Sequence, residues 1–340
     1  MNVTITDKWN TYLEHFDNRQ KDIYYHEEYV KLYENAHSKA LCIVCTKDDK
    51  ILLMPFLRGE IESYYDYETQ YGYGGPIANT SDADFTDKAL IQMAEGFKAN
   101  NYLCGFIRFH PLLDNASLCR NVMNVIEDRY TVAIITDKSK DDIWASQISS
   151  KNRNMIRKAQ KSGLEYKSEH DFESIDEFIE LYNATMKRIG AQDFYFFDKE
   201  YYASFEKYLN ENAFLGTVRL DGKLICAAIF MYEGCYGHYH LEGSDYEYKS
   251  LGAGNLLIWE SACHMHDLGV EKLHLGGGNS SLADDPLFKY KKAFSTNLAK
   301  FCIGKEIYNT KAYDDICLRW EKENPDKVDA FGGRLLKYRY

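Results

Sequence analysis

Between Leu273 and Phe294 the chain sets three glycines, Gly276, Gly277 and Gly278, directly behind the apolar run Leu273-His274-Leu275. The basic and aromatic run Phe288-Lys289-Tyr290-Lys291-Lys292-Ala293-Phe294 follows. Glycines at a strand end carry no Cβ, so their backbone amides can approach a ligand closely. No acid lies between Asp285 and Glu306, which leaves Lys289, Lys291, Lys292 and Lys300 as a locally positive wall. Open backbone facing fixed positive charge suits acyl transfer, whose transition state gathers charge on a carbonyl oxygen. A plain strand, turn and solvated helix start accounts for these residues equally well.

Two further groups could serve the same chemistry. The stretch from Trp144 to Gly163 carries Lys151, Arg153, Arg157, Lys158 and Lys161 and no acid. Arg153 and Arg157 share a helix face and match phosphate geometry, so a nucleotide, a pyrophosphate or an RNA backbone could dock there. Lys249-Ser250-Leu251-Gly252-Ala253-Gly254-Asn255 lies between a strand and a helix. Gly252 and Gly254 would leave amides free for phosphate oxygens at the helix N-terminus. This segment resembles the Gln/Arg-x-x-Gly-x-Gly/Ala pyrophosphate loop of GNAT acetyltransferases, with Lys249 in the first position. His110, His238 and His240 are the histidines placed to act as general bases. Strict strand alternation sets His238 and His240 on one face and Tyr239 on the other. No nucleophile elbow, Walker loop, dinucleotide fingerprint or metal-spaced carboxylate set is present, which disfavours covalent, redox and NTP-driven chemistry.

The chain has 340 residues, enough for two domains, with 45% hydrophobic and 27% charged residues. That is a soluble globular composition. A net charge of −11 argues against general coating of nucleic acid, DNA included. Nine scattered cysteines read as reduced thiols, and Cys42-x-x-Cys45 has no partner set for zinc. The first residues lack a basic head and an apolar run, and no stretch is long enough to span a membrane, so a cytoplasmic protein is expected.

The elements that must position these residues alternate between strands and helices. A hairpin is expected over 41–57 and helices over 84–100 and 114–127, with strands at 103–109 and 130–135 between and after them. A helix over 140–162 stops at Gly163, and another covers 174–189 before an aromatic loop at 194–202. Strands at 213–220 and 223–232 join at Asp221-Gly222. A strand at 235–243, a helix at 254–266, the Leu273 strand, a final strand near 298–304 and a helix at 311–323 complete the chain. The strand and helix order of the first half recurs in the second.

Taken in order, several segments resemble the Fem family of aminoacyltransferases, which build peptidoglycan cross-bridges and are related to GNAT acyltransferases. They are Lys151-Asn152-Arg153-Asn154-Met155-Ile156-Arg157-Lys158-Ala159, Leu181-Tyr182-Asn183-Ala184-Thr185-Met186-Lys187-Arg188 and Tyr239-His240-Leu241-Glu242-Gly243-Ser244. Asn255-Leu256-Leu257-Ile258-Trp259, the Gly276–Gly278 strand end, Tyr290-Lys291-x-x-Phe294 and the turn Tyr73-Gly74-Gly75-Pro76 complete the set. The resemblance implies an α/β (α+β) chain of two tandem GNAT-like domains, each a mixed, mostly antiparallel sheet flanked by helices. It places domain 1 at 1–140, a catalytic domain 2 at 141–310 and a C-terminal helical segment, 311–340, back on domain 1. It implies an N-acyltransferase that moves an aminoacyl or acyl group from aminoacyl-tRNA or acyl-CoA to a primary amine of a cell-envelope precursor. No tightly bound cofactor and no metal are expected, and tRNA is a partner if it is the donor. Lys291 matches the lysine that stabilises the oxyanion, and His110 stands where family members carry an acid before a proline. Arg188, Tyr239, Tyr290, Gly276 and Gly277 fall on the acceptor side, and Arg153, Arg157, Lys249, Gly252 and Gly254 on the donor side. The alternative is a non-catalytic protein of the same fold that binds a glycan or nucleotide-sugar.

Overall fold

A computed structural model describes residues 1–340. The strands are β1 (Asn2–Thr6), β2 (Ser38–Lys47), β3 (Lys50–Ile61), β4 (Tyr64–Glu68), β5 (Ile77–Ala78), β6 (Tyr102–Arg108), β7 (Val125–Ile135), β8 (Glu165–Glu169), β9 (Ala213–Leu220), β10 (Lys223–Glu233), β11 (Tyr236–Ser244), β12 (Lys272–Gly276) and β13 (Leu298–Ile307). The helices are α1 (Asn10–Leu13), α2 (Glu27–Lys31), α3 (Ala83–Ala99), α4 (Asn115–Cys119), α5 (Lys140–Ser146), α6 (Ser150–Lys161), α7 (Ile175–Ile189), α8 (Lys199–Tyr208), α9 (Ala253–Asp267), α10 (Pro286–Lys292), α11 (Thr310–Glu323) and α12 (Val328–Phe331). No helix is long and apolar enough to cross a membrane.

The chain divides into two compact units, Met1–Asp128 with Lys300–Tyr340, and Arg129–Ala299. In the first, the strands run β1-β2-β3-β4-β6-β13, with β5 beside β3. Only β4 and β6 pair in parallel, and α3 is the crossover that a parallel pair requires. Phe85, Ala89, Leu90, Met93 and Phe97 form its buried face and pack with Ile43, Met54, Phe56 and Tyr67. The second unit repeats the plan with β7-β12-β11-β10-β9-β8. Its one parallel pair is β11 with β12, and α9 is the crossover. Leu256, Leu257 and Ala262 of α9 join Ile156, Phe214, Phe230, Leu273 and Phe294 in the core.

The unit boundaries lie near 128 and 300, whereas the sequence reading put them at 140 and 310. The final strand explains the second shift. Ile303–Ile307 of β13 pair with Cys104–Arg108 of β6, which ties that strand to the first unit. The tail continues there: Ile316, Leu335 and Leu336 bury against Leu103 and Cys104.

Three elements differ from the sequence reading. The helix expected over 114–127 ends at Cys119, and Val125 to Tyr130 form the start of β7. The helix expected over 140–162 is two helices, and at the break the Gln147 side chain pairs with the backbone of Ile135. Ser149 then caps α6 from the Asn152 amide. The aromatic loop turns helical at Lys199, where Asp198 caps α8 through the Tyr201 amide.

Candidate active site

The site in the second unit is built by a bulge in β11. Phe230 pairs with Tyr239 and Ile229 with Leu241, so His240 is an extra residue between them. In an unbroken strand, residues three apart face opposite sides. The bulge resets the alternation, so Tyr239 and Glu242 share one face with Cys226, Ala228 and Phe230 of β10. Tyr239 Oη donates to Glu242 Oε2. Cys226 Sγ donates to Glu242 Oε1 at 3.4 Å. Burial and the Glu242 charge hold the Tyr239 hydroxyl well above its usual pKa, so it stays a phenol.

α10 brings the cation. Asp285 accepts the Phe288 amide at 2.9 Å as its cap, with Pro286 in the first turn. Phe288 and Phe294 anchor the helix and its end in the core, which leaves Tyr290 and Lys291 at the site. Lys291 Nζ donates to the Gly277 carbonyl at 2.9 Å and lies 5.9 Å from the centre of the Tyr239 ring. Burial lowers its pKa to about 8, against the opposing pull of Glu242 and Asp285. It is still mainly protonated at neutral pH, with N–H groups left for a ligand.

Two glycines of the run lie close against the chain itself. A Cβ on Gly278 would strike the Asp285 carboxylate and come 3.0 Å from Phe288 Cβ; one on Gly277 would lie 3.3 Å from Arg129 Cδ and the Tyr130 carbonyl. The space freed by glycine is filled by the chain itself. The carbonyls of Gly277 and Gly278 face Lys291 and Arg129 Nη1. Gly277 thus seats Lys291.

The glycine loop at the start of α9 closes the other side. Gly252 takes φ +81°, and a Cβ there would lie 2.9 Å from the Met155 carbonyl of α6. A Cβ on Gly254 would lie 3.0 Å from Tyr290 Oη and 3.3 Å from Glu242 Oε1. The N-terminus of α9 therefore abuts the Tyr290–Glu242 pair. No side chain caps it and no acid occupies its first turn, so its leading amides and dipole remain available to an anion.

Other expected residues have separate surroundings. Arg153 Nη1 donates to the carbonyls of Trp144, Ala145 and Ile148 at 3.1, 3.2 and 2.7 Å, which closes the end of α5 rather than facing a phosphate. Arg157 is exposed and lies 5.3 Å from the Trp144 ring. Lys249 and Arg188 flank the exposed Tyr246 ring at 3.6 and 5.3 Å, and Arg188 Nη1 also donates to the Ser244 carbonyl at 2.9 Å.

The histidines meet other groups of the chain. His110, in the first unit, is 0% exposed, with Nε2 3.2 Å from Asp22 Oδ2. Its Nδ1 accepts the Leu113 amide at 3.1 Å, so the lone pair a general base would use is already engaged. In the second unit His240, displaced by the bulge, meets Tyr201 Oη at 2.7 Å, and burial with the His238 charge lowers its pKa to about 3. His238 and His240 both lie away from the Tyr239 face, close enough for the His238 charge to act on His240. Glu242 is the site residue that sequence reasoning missed, because its facing depends on a bulge with no sequence signal.

Residues 149–292 match the family model described as an acetyltransferase (GNAT) domain, within the Arg129–Ala299 unit. Fold and match together give the second unit the fold of a GNAT-type acyltransferase domain. The particular likeness is to Fem-type enzymes. The chain is 22% identical to a UDP-N-acetylmuramoylpentapeptide-lysine N(6)-alanyltransferase of Weissella viridescens, over 80% of this chain and 86% of that one. A crystal structure of FemX superposes with a TM-score of 0.73 at 16% identity, covering 92% of this chain and 99% of that one. A tandem GNAT protein from the clavulanic acid biosynthesis pathway gives 0.51 at 8% identity, covering 89% and 98%. The Fem resemblance and the GNAT-like architecture read from the sequence stand on these comparisons.

Proposed function

We propose that the chain transfers an aminoacyl group from aminoacyl-tRNA to the side-chain amine of a lysine in a cytoplasmic peptidoglycan-precursor peptide. The observation that carries this reading is Lys291, a cation seated on the Gly277 carbonyl beside Tyr239 in a chain similar to an alanyltransferase of that precursor class. As the amine attacks the ester carbonyl, the oxygen becomes an oxyanion, and the N–H groups left on Lys291 face it. Gly252 and Gly254 at the start of α9 receive a donor phosphate, with Lys249 and Arg157 as outlying cations. Tyr239 and Tyr290 line the acceptor side. Acyl-CoA is the second donor class that the same loop accommodates.

The test is a mass assay with alanyl-tRNA or acetyl-CoA as donor and lysine-containing UDP-N-acetylmuramoyl-pentapeptide as acceptor. The peptide gains one alanyl residue with the tRNA donor, and Lys291→Met lowers kcat by roughly 10²–10³-fold. An acetyl mass instead would move the donor to CoA. A peptide unmodified by either donor would overturn the reading.

A further inference from the structure

Acyl transfer to a lysine amine needs a proton acceptor. The acceptor amine arrives as an ammonium with three protons, and the amide product keeps one. One proton goes to solvent as the neutral amine forms. The second comes off nitrogen as the N–C bond forms, when the base must be in place. His110 has its Nδ1 lone pair on the Leu113 amide. His240 is bonded to Tyr201, away from the Tyr239 face. Lys291 enters the reaction as an acid.

We propose that Glu242, acting through the Tyr239 hydroxyl, receives the proton released by the attacking amine. This inference rests on the acyltransfer reading. The Tyr239 proton points at Glu242 Oε2, so the phenol oxygen presents lone pairs to a donor on its other side. An amine held there passes its proton to Tyr239 Oη as the Tyr239 proton moves to Glu242. The phenol is unchanged by the exchange, and Glu242 becomes a neutral acid. When the C–O bond to the donor breaks, the proton returns along the same path to the leaving oxygen. Nitrogen has gained carbon and lost two protons, the ester oxygen has gained one, and one is in solvent.

The surroundings favour this direction. The groups facing Glu242 are Tyr239 on its own strand, Cys226 on β10, Gly254 and the N-terminus of α9, and Tyr290 and Lys291 on α10. Cys226 Sγ and Tyr239 Oη each donate to one carboxylate oxygen, which fixes the group without neutralising it. Burial keeps both Cys226 and Tyr290 protonated, so neither competes for the proton. The bulge at His240 supplies the geometry, since without it Tyr239 and Glu242 would face opposite sides.

The experiment compares kcat and KM of wild type, Glu242→Gln, Tyr239→Phe and the double variant from pH 6 to 9, with whichever donor the wild type uses. Glu242→Gln and Tyr239→Phe should each lower kcat by about 10²–10⁴-fold, with the acceptor KM within about threefold. The double variant should lose little more than either alone, as residues acting in one relay do. The loss in Glu242→Gln should persist at pH 6, where Lys291 is charged with or without a neighbouring anion. Recovery of Glu242→Gln to wild-type rate at pH 6 would reduce Glu242 to a counter-charge for Lys291 and overturn the relay. Full activity in Tyr239→Phe, or strictly multiplicative losses, would also overturn it. A wild type inactive with both donors would bring down the acyltransfer reading and the relay with it, whereas an active wild type with an active Glu242→Gln removes the relay alone.

Discussion

Each unit holds a neutral donor against a carboxylate, and the two pairs do different work. His110 and Asp22 are both 0% exposed, and the rings of Tyr24, Tyr25 and Tyr73 surround the imidazole. Asp22 Oδ1 accepts the Tyr24 amide and His110 Nδ1 accepts the Leu113 amide, so the pair staples two loops of the first unit. Tyr239 and Glu242 are only half-buried, stand beside an ammonium and face a helix N-terminus opened by glycine. The same chemistry of donor and acid becomes a strut where the chain closes over it. It becomes a reaction surface where a face stays open beside a cation.

That contrast can be broken most sharply at His110. His110→Phe should cost about 3–5 kcal/mol of stability, because it takes the imidazole from a buried carboxylate. The kcat of the protein that still folds should be close to wild type. Urea unfolding read beside kcat separates the outcomes, and a stable variant with lost turnover would return His110 to the chemistry. Lys291→Met should do the reverse: kcat falls by the factor given above and the unfolding midpoint is not lowered, since a desolvated ammonium is removed. In the wild type, turnover supported by the Lys291 cation should fall as pH rises through about 8. Stability has the opposite sign. With the folded pKa below that of a free lysine, the unfolded chain binds more protons between about 8 and 10.5, so this group's contribution becomes more favourable as pH rises across that window.

The first unit offers a smaller test of the same kind. Asp66 is 1% exposed and pairs with Arg339 Nε at 3.1 Å and with Arg339 Nη2, while Arg339 Nη1 meets Glu68 at 2.6 Å. Tyr338 Oη adds a 2.9 Å bond to Asp66 Oδ2. Arg339→Ala should cost about 2 kcal/mol, less than a fully enclosed pair because part of the guanidinium is in water. Transfer activity per folded molecule should not change, which activity normalised to the native fraction in urea would show.

The legible parts of the molecule are those set by local pattern. The 3.6-residue spacing of Phe85, Ala89, Leu90, Met93 and Phe97 gives α3, and Asp221-Gly222 gives the β9–β10 turn, with φ of +50° and +82°. The acid-free stretch marks Lys289, Lys291, Lys292 and Lys300 as one positive group, and only the family resemblance singles out Lys291 among them. Three features were not legible, and each depends on distant residues. Glu242 is turned by a bulge in register with β10. The β13 strand reads like any apolar alternation, and only its pairing with β6 assigns it to the first unit. The glycines after β12 read as an open cradle, yet Asp285, Phe288 and Arg129 come back from elsewhere to fill it.

The smallest effects distinguish two arginines one turn apart on α6. By type and spacing they are equivalent, and the sequence reading gave both to the donor. Arg153 Nη1 collects three carbonyls at the end of α5, where a cation also complements the helix dipole. Arg153→Ala should therefore cost about 1 kcal/mol of stability and leave the donor KM unchanged. Arg157 rests on Trp144 at the surface and bonds only weakly to Asn154, at 3.4 Å. If tRNA is the donor, Arg157→Glu should raise the alanyl-tRNA KM several-fold and lower the slope of log KM against log salt by about one, with no loss of stability. A donor KM that moves with Arg153 and not Arg157 would invert the assignment. A KM that ignores both would place the phosphate contacts on the α9 loop, where Gly252 and Gly254 already leave backbone amides to meet them.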